Sequence, residues 1–361
     1  MCVILKLWIE QAHQKDRFLW NQWVTSHVDS HFYHLWEWGN VLSTTYNYQR
    51  FYFMVKYDGE IVGILPLIYI QSRIFGNKLV SLPFCEYGGP LLSHSIDLST
   101  FASINGLLSK VMNRMVRRLG ADYVEIRQPS PSINMSALGF VPSEQYSTFR
   151  IDLTRGETII WKKLDKKCRN AIRRSNKSGV RIVPATKNLL EVYYDLYLNT
   201  QKKHGSPPHS ATLFSNLVDA LNTEKQMQMV LALYDGRAIG GIIVFCLNGK
   251  MYWWGSVVDR KYARLNPTNS LLWHVIQWGT NNNYKSFELG RTRSETKGIY
   301  LFKKGWGGLH ISLTDYILAT KNVKLPDPVQ KKYVMLSEVW SLLPSKVARQ
   351  LGPSIVSRIG L

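Results

Sequence analysis

At 361 residues and 45% apolar content, the chain exceeds one ordinary domain and can bury two cores. Its net charge of +20, from 45 basic and 25 acidic residues, argues against cationic partners and favours nucleic acid, phosphorylated metabolites or an anionic membrane surface. The four cysteines, Cys2, Cys85, Cys168 and Cys246, form no CxxC pair, which argues against a disulfide framework or zinc site.

The opening MCVILKLWIEQAHQKD has an apolar run too short for a signal-peptide core and reads as a first strand. No segment reaches the ~18 apolar residues of a membrane span. The expected location is therefore cytoplasmic, with the inner membrane face as a further option. Residues 17–45 carry Phe18, Trp20, Trp23, Val24, Val28, Phe32 and Leu35 at helical spacing. FYFMVKYDGEIVGILPLIYIQ predicts a hairpin turning at Asp58-Gly59. A strand follows at KLVSLPF, then a Gly-rich bend, a helix over 98–119 and a strand at ADYVEIRQ.

The second half repeats this plan. Helices are expected over 159–178, 187–203 and 268–282. Between the last two lie three strands with turns at Asp235-Gly236 and Asn248-Gly249, and YKSFELGR ends the series. Tyr57-Asp58-Gly59 parallels Tyr234-Asp235-Gly236 in this order of elements, which points to an internal duplication. The elements mix helix and antiparallel strand, so the fold class is α+β.

Charge is densest between Lys162 and Arg181, with nine cations and one acid, Asp165. Lys166, Arg169, Arg173 and Lys177 share one helical face, where like charges repel unless an anion answers them. A solvated basic face is the plainer reading. Further on, Phe287 to Gly308 delivers Arg291 beyond a strand end. It continues through a polar loop to Phe302-Lys303-Lys304 and the glycines around Trp306.

The ordered set WxxLxxKxRNxIRRSxKxGVxI, YWWGSVV, FELGR and FKKGWGG resembles the FemAB family of tandem GNAT-like transferases. That family includes peptidoglycan interpeptide-bridge aminoacyltransferases. FYHLWEWGNVL, DGEIVGILPLIY and LVSLPFCEYGGPLL are similar to FemAB-related proteins linked to exopolysaccharide and envelope export. The resemblance spans roughly residues 18–320. It implies two tandem GNAT-like domains with mixed, mostly antiparallel sheets, over 1–150 and 151–325, followed by a tail over 326–361. It also implies acyl or aminoacyl transfer to an amine of a cell-envelope, peptidoglycan or exopolysaccharide precursor. Acyl-CoA or aminoacyl-tRNA would be the co-substrate, and no cofactor or metal is expected to stay bound. By matching position, Arg169 lies in the family's K-x-R-N helix, Arg291 at its Gly-Arg strand end, and Phe302-Lys303 in its F-K loop.

The chain departs from the family at three points. Gly89-Pro90 is followed by Leu91, Leu92 and Ser93 instead of an acid, so Glu86 is the nearest carboxylate. A long helical arm is missing. The Gly-rich pyrophosphate loop of GNAT acetyltransferases is replaced by DRKYARLNPTNS, where Arg260, Lys261 and Arg264 can hold phosphates by charge. Attack of an amine on an ester or thioester develops an oxyanion, for which Lys303 is the expected donor. Glu288, Glu86 and Tyr252 are the expected proton acceptors. Arg169, Arg173, Arg291, Phe302, Glu86 and Trp254 make up the substrate-binding set. The tail mixes Trp340, Leu343, Val347 and Leu351 with Lys346, Arg349 and Arg358, and Pro344 and Pro353 are expected to cut it into short helices. It suits an anionic bilayer or the first domain equally. The competing functional class is a non-catalytic basic protein that holds RNA or membrane phosphates.

Overall fold

The computed structural model describes residues 7–127, 133–221, 225–293, 295–320 and 331–360. Cys2, the first residues of the opening strand and the expected boundary at 325/326 lie outside them. The chain divides into two compact units. One comprises Met1–Gln145, Leu313–Pro326 and Ser357–Leu361; the other comprises Tyr146–Ser312 and Asp327–Val356.

The first unit runs β1 (Leu7–Ala12), α1 (Arg17–Ser26), α2 (Trp36–Tyr46), β2 (Gln49–Tyr57), β3 (Glu60–Ile70), β4 (Lys78–Val80), β5 (Leu91–Leu92), α3 (Leu98–Leu119) and β6 (Tyr123–Arg127). The helix expected over 17–45 is two helices. Trp20 Nε1 donates to the His34 carbonyl at 2.7 Å and Asn21 Oδ1 accepts from Trp36 N at 2.9 Å, which folds the chain back between them. Asp58 at the β2–β3 turn takes φ 49°, as a tight hairpin turn requires. The sheet order is β1-β2-β3-β4-β6, antiparallel except for β4 with β6. The strand expected at KLVSLPF stops at Val80, and a buried loop follows. Alternate residues of β2, β3 and β6 pack on Ile104, Leu108, Met112 and Met115, the apolar stripe of α3.

The second unit runs β7 (Val141–Asp152), α4 (Glu157–Lys163), α5 (Lys166–Lys177), β8 (Arg181–Pro184), α6 (Leu190–Lys203), α7 (Ala211–Ala220), β9 (Met227–Tyr234), β10 (Arg237–Leu247), β11 (Lys250–Val258), α8 (Pro267–Asn281), β12 (Ser286–Glu288), β13 (Thr292–Arg293), α9 (Lys297–Lys304) and β14 (Leu309–Ala319). The helix expected over 159–178 breaks at Leu164. Asp165 caps the new start, its carboxylate accepting from Cys168 N at 2.6 Å. The sheet order is β7-β12-β11-β10-β9-β8, and β13 pairs β7. Only β11 and β12 run parallel. Residues 141–145 of β7 and the end of β14, from Leu313, belong to the first unit, where β14 pairs β6 from Asp315.

The tail forms α10 (Lys331–Leu342) and α11 (Ser345–Ile359). Pro344 separates them, but Pro353 lies inside α11, contrary to the expected cut. Up to Val356 the tail belongs to the second unit, and from Ser357 it belongs to the first. Arg349 pairs with Glu191 on α6 and stands 5.0 Å over the Tyr194 ring. Among the described residues, no helix is long and apolar enough to cross a membrane.

Candidate active site

The parallel pair of the second unit covers only Lys250–Tyr252 against Ser286–Glu288. Beyond this point β12 ends, while β11 continues to Val258. Its register against β10 slips there, leaving Trp254 as the extra residue of a bulge. The two strands therefore part at the rung formed by Tyr252 and Glu288.

Four groups surround this opening. Lys303 is 5% exposed, and its Nζ donates to the carbonyls of Gly290 (2.8 Å) and Arg291 (3.2 Å). The same ammonium stands 5.2 Å over the Trp253 ring. The Trp253 indole N–H is buried and has no acceptor among the described residues. Glu288 and Tyr252, each 1% exposed, sit side by side on the last rung. Glu288 Oε1 accepts from Arg150 Nε (2.9 Å) and Nη2 (2.8 Å), which orients the carboxylate.

Strand alternation puts these groups on two faces. Met251 and Phe287 belong to the core under α4, α5 and α8, and Trp253 packs against it, so that face carries Trp253. Tyr252, Glu288 and Trp254 take the other. Trp254 there meets His209, Phe214 and Phe245 at centroid distances of 6.0, 5.8 and 5.4 Å. Burial pushes the His209 imidazole down to about 3, so it is neutral at pH 7.

Lys303 and Phe302 lie on a helix, α9, and not on the expected loop. Phe302 faces Trp253 and Trp306 at 6.5 and 6.2 Å. Its outer side lines an open cleft of about 1000 Å³. Cations reach that cleft from α5 (Lys166, Lys167, Arg174) and from α9 (Lys304), and Asn266 and Asn269 line it at the start of α8. Asp165 N donates to the Gly305 carbonyl at 2.9 Å, tying α5 to the end of α9. Close backbone approach needs the next glycines. At Gly307, φ is +70° and a Cβ would fall 2.6 Å from the Lys163 carbonyl oxygen.

The other expected site residues are placed elsewhere. Arg169 turns back to the carbonyls of Leu164 and Lys162, closing the end of α4. Arg173 stacks 5.4 Å over Trp161, and Arg291 3.5 Å over Tyr146. Arg260, Lys261 and Arg264 are exposed on a 3-10 turn, outside the lining of the cleft. Glu86 belongs to the buried loop of the first unit. Sequence reasoning missed Trp253, Arg150 and Asn269. A doubled Trp in a strand signals one ring for each face, but the bulge that aims them has no signature in residue type.

A family model for the acetyltransferase (GNAT) domain matches residues 162–304, which span the basic helix, the parted strands and α9. Residues 162–304 thus match a GNAT domain, and the fold of the chain as a whole is similar to that of tandem GNAT proteins. Its fold is similar to that of a crystal structure of FemX, with a TM-score of 0.67 at 15% identity, covering 86% of this chain and 97% of that one. It is also similar to a tandem GNAT protein from the clavulanic acid biosynthesis pathway (TM-score 0.54, 11% identity, 88% and 100% covered). L-PGS from Bacillus licheniformis aligns with a TM-score of 0.53 at 13% identity, covering 79% and 88%. Among proteins of curated function, none matches the sequence significantly. The GNAT match falls within the second unit and supports an acyltransferase domain there.

Proposed function

We propose that the protein transfers an acyl or aminoacyl group from an activated donor to an amine of a cell-envelope or exopolysaccharide precursor. The observation that carries this reading is the Trp253 indole N–H, without an acceptor among the described residues, beside buried Lys303 where β11 and β12 part. A buried donor without an acceptor is costly. A carbonyl oxygen that gains negative charge during reaction answers both groups. Lys303 is held in place by two carbonyls, so its position is set before the substrate arrives.

The donor enters from the α8 and α9 face. Its phosphates lie in the cleft among Lys166, Lys167, Arg174 and Lys304, and its acyl group extends inward past Phe302 to the gap. The acceptor amine comes from the opposite face, where Glu288 and Tyr252 handle its proton. Amine nitrogen bonds to the acyl carbon, the tetrahedral oxyanion collapses, and the thiol or ribose hydroxyl leaves with a proton. Acyl-CoA and aminoacyl-tRNA both fit a basic cleft. FemX and L-PGS, as fold neighbours, lend weight to envelope or lipid-linked acceptors. Peripheral contact with an anionic membrane follows from the same charge.

Incubating the full chain with radiolabelled acetyl-CoA or aminoacyl-tRNA and envelope precursors tests this. Label should move to the precursor. Binding of RNA or anionic vesicles with no transfer from any donor would instead support the non-catalytic reading.

A further inference from the structure

The first unit contains a pocket of about 330 Å³ between the end of β1, α2 and the start of β2. Three buried polar atoms on residues that line it have no partner among the described residues: Arg50 Nη1, Tyr52 Oη and Ser43 Oγ. Gly39 lets two of these side chains crowd the helix. A Cβ at that position would fall 1.9 Å from Tyr52 Oη and 3.2 Å from Arg50 Cδ. The guanidinium lies 4.8 Å over the Trp36 ring and 5.5 Å over Tyr52, which fixes its plane. Among the described residues, its hydrogen bond goes to Asn40 Oδ1 at 3.3 Å.

No acid lines this pocket. The carboxylate on α2, Glu37, is already taken by Arg17 (2.6 Å) and Asn21 (2.9 Å). Arg50 therefore has a buried donor and no counter-ion among the described residues. Proteins seldom leave such a group bare, because its desolvation is uncompensated. Two hydroxyls that can donate adjoin it, so the pocket offers donors to a ligand rich in acceptors.

We propose that this first-unit pocket is an oxyanion-binding site, in which Arg50, Tyr52 and Ser43 hold the carboxylate or phosphoryl group of a small acidic ligand. The site stands apart from the acyl-transfer residues of the second unit and does not depend on their role. Its planar fork suits two oxygens of one group. Its volume admits the anionic group with a few further atoms.

Fluorine NMR of the full chain tests the proposal with three probes: trifluoroacetate, monofluorophosphate and neutral trifluoroethanol. The parent should broaden the signal of at least one anion in a saturable way and leave trifluoroethanol unaffected. The anion that saturates tells carboxylate from phosphoryl. Arg50→Gln should weaken that binding at least tenfold and Ser43→Ala severalfold, with circular dichroism unchanged. Arg50→Lys, which keeps the charge, covers the case in which Arg50→Gln fails to fold, and should weaken binding through loss of the fork. Anions also bind the basic cleft, so the decisive quantity is the difference between parent and variant. Identical titrations of the parent and the Arg50 variants with both anions, as a water-filled pocket would give, overturn the proposal.

Discussion

The two units each contain one parallel strand pair, and the pairs end differently. In the first, β4 and β6 pair over Lys78–Val80 and Tyr123–Glu125, and the chain after β4 stays stitched to β6. Ser81 N donates to Glu125 O at 2.9 Å and Gly88 N to Arg127 O at 3.2 Å. Every residue from 78 to 92 is buried. The Arg127 guanidinium fills the space, bonded to Glu125, Cys85 O and Gly360 O. In the second unit the strands part after Tyr252 and Glu288, and the buried Trp253 donor has no partner among the described residues. One topology thus appears once plugged and once open. A filled crotch contributes stability, and an open one can present fixed donors to a substrate.

The comparison breaks most visibly at Arg127. Arg127→Met should cost about 3 kcal/mol in urea unfolding, because it takes a buried ion-pair partner from Glu125 and a donor from two carbonyls. A loss within 0.5 kcal/mol, the ordinary range of a surface change, would mean that the plug is not structural. In the open unit, Trp253→Phe keeps the ring over Lys303 and removes only the N–H. The transfer rate should fall about tenfold, or ~1.4 kcal/mol of barrier, with unfolding unchanged. A rate equal to the parent's would show that the indole N–H meets no carbonyl.

Acid should sharpen the contrast with a smaller effect. Burial lowers the His209 imidazole to about 3, and His204 and His274 are lowered as well, all in the second unit. In the unfolded chain each titrates near its ordinary 6.5. The unfolded state therefore binds more protons below that pH, and the stability present above ~6.5 is lost as pH falls toward 3. Hydrogen exchange around residues 190–220 should accelerate over that range, and His209→Phe should flatten the response. Exchange independent of pH, after correction for intrinsic rates, would contradict it.

Much of this fold was legible in the sequence. The Asp-Gly and Asn-Gly turns fixed three hairpins because few residues accept the left-handed φ those turns need. The α3 stripe and the start of α8 after Asn266-Pro267 were readable for similar local reasons. The break at Leu164 was missed because the periodicity of Ile160, Leu164 and Cys168 runs unbroken across it. Only the capping geometry of Asp165 shows the interruption. The site was less legible. Arg169 and Arg173 stand out as charge, yet each is spent on local contacts, and Lys166, Lys167 and Arg174 reach the cleft instead. Charge density located the helix, but the rotation of that helix against α8 and α9 decides which cations face a ligand. Glu288 likewise showed itself as an acid near a strand end, while its partner Arg150 is set by a pairing across 138 residues of chain.

The central claim is that a buried lysine acts on the reaction in the open unit and only on the fold in the plugged one. Lys303→Met and Lys78→Met, compared in single-turnover transfer at saturating donor, test it most directly. The account predicts a fall of at least 100-fold for Lys303→Met with donor affinity nearly intact. For Lys78→Met it predicts a parental rate with lower unfolding stability. Equal rates for the two variants, or a parental rate for Lys303→Met, would contradict it.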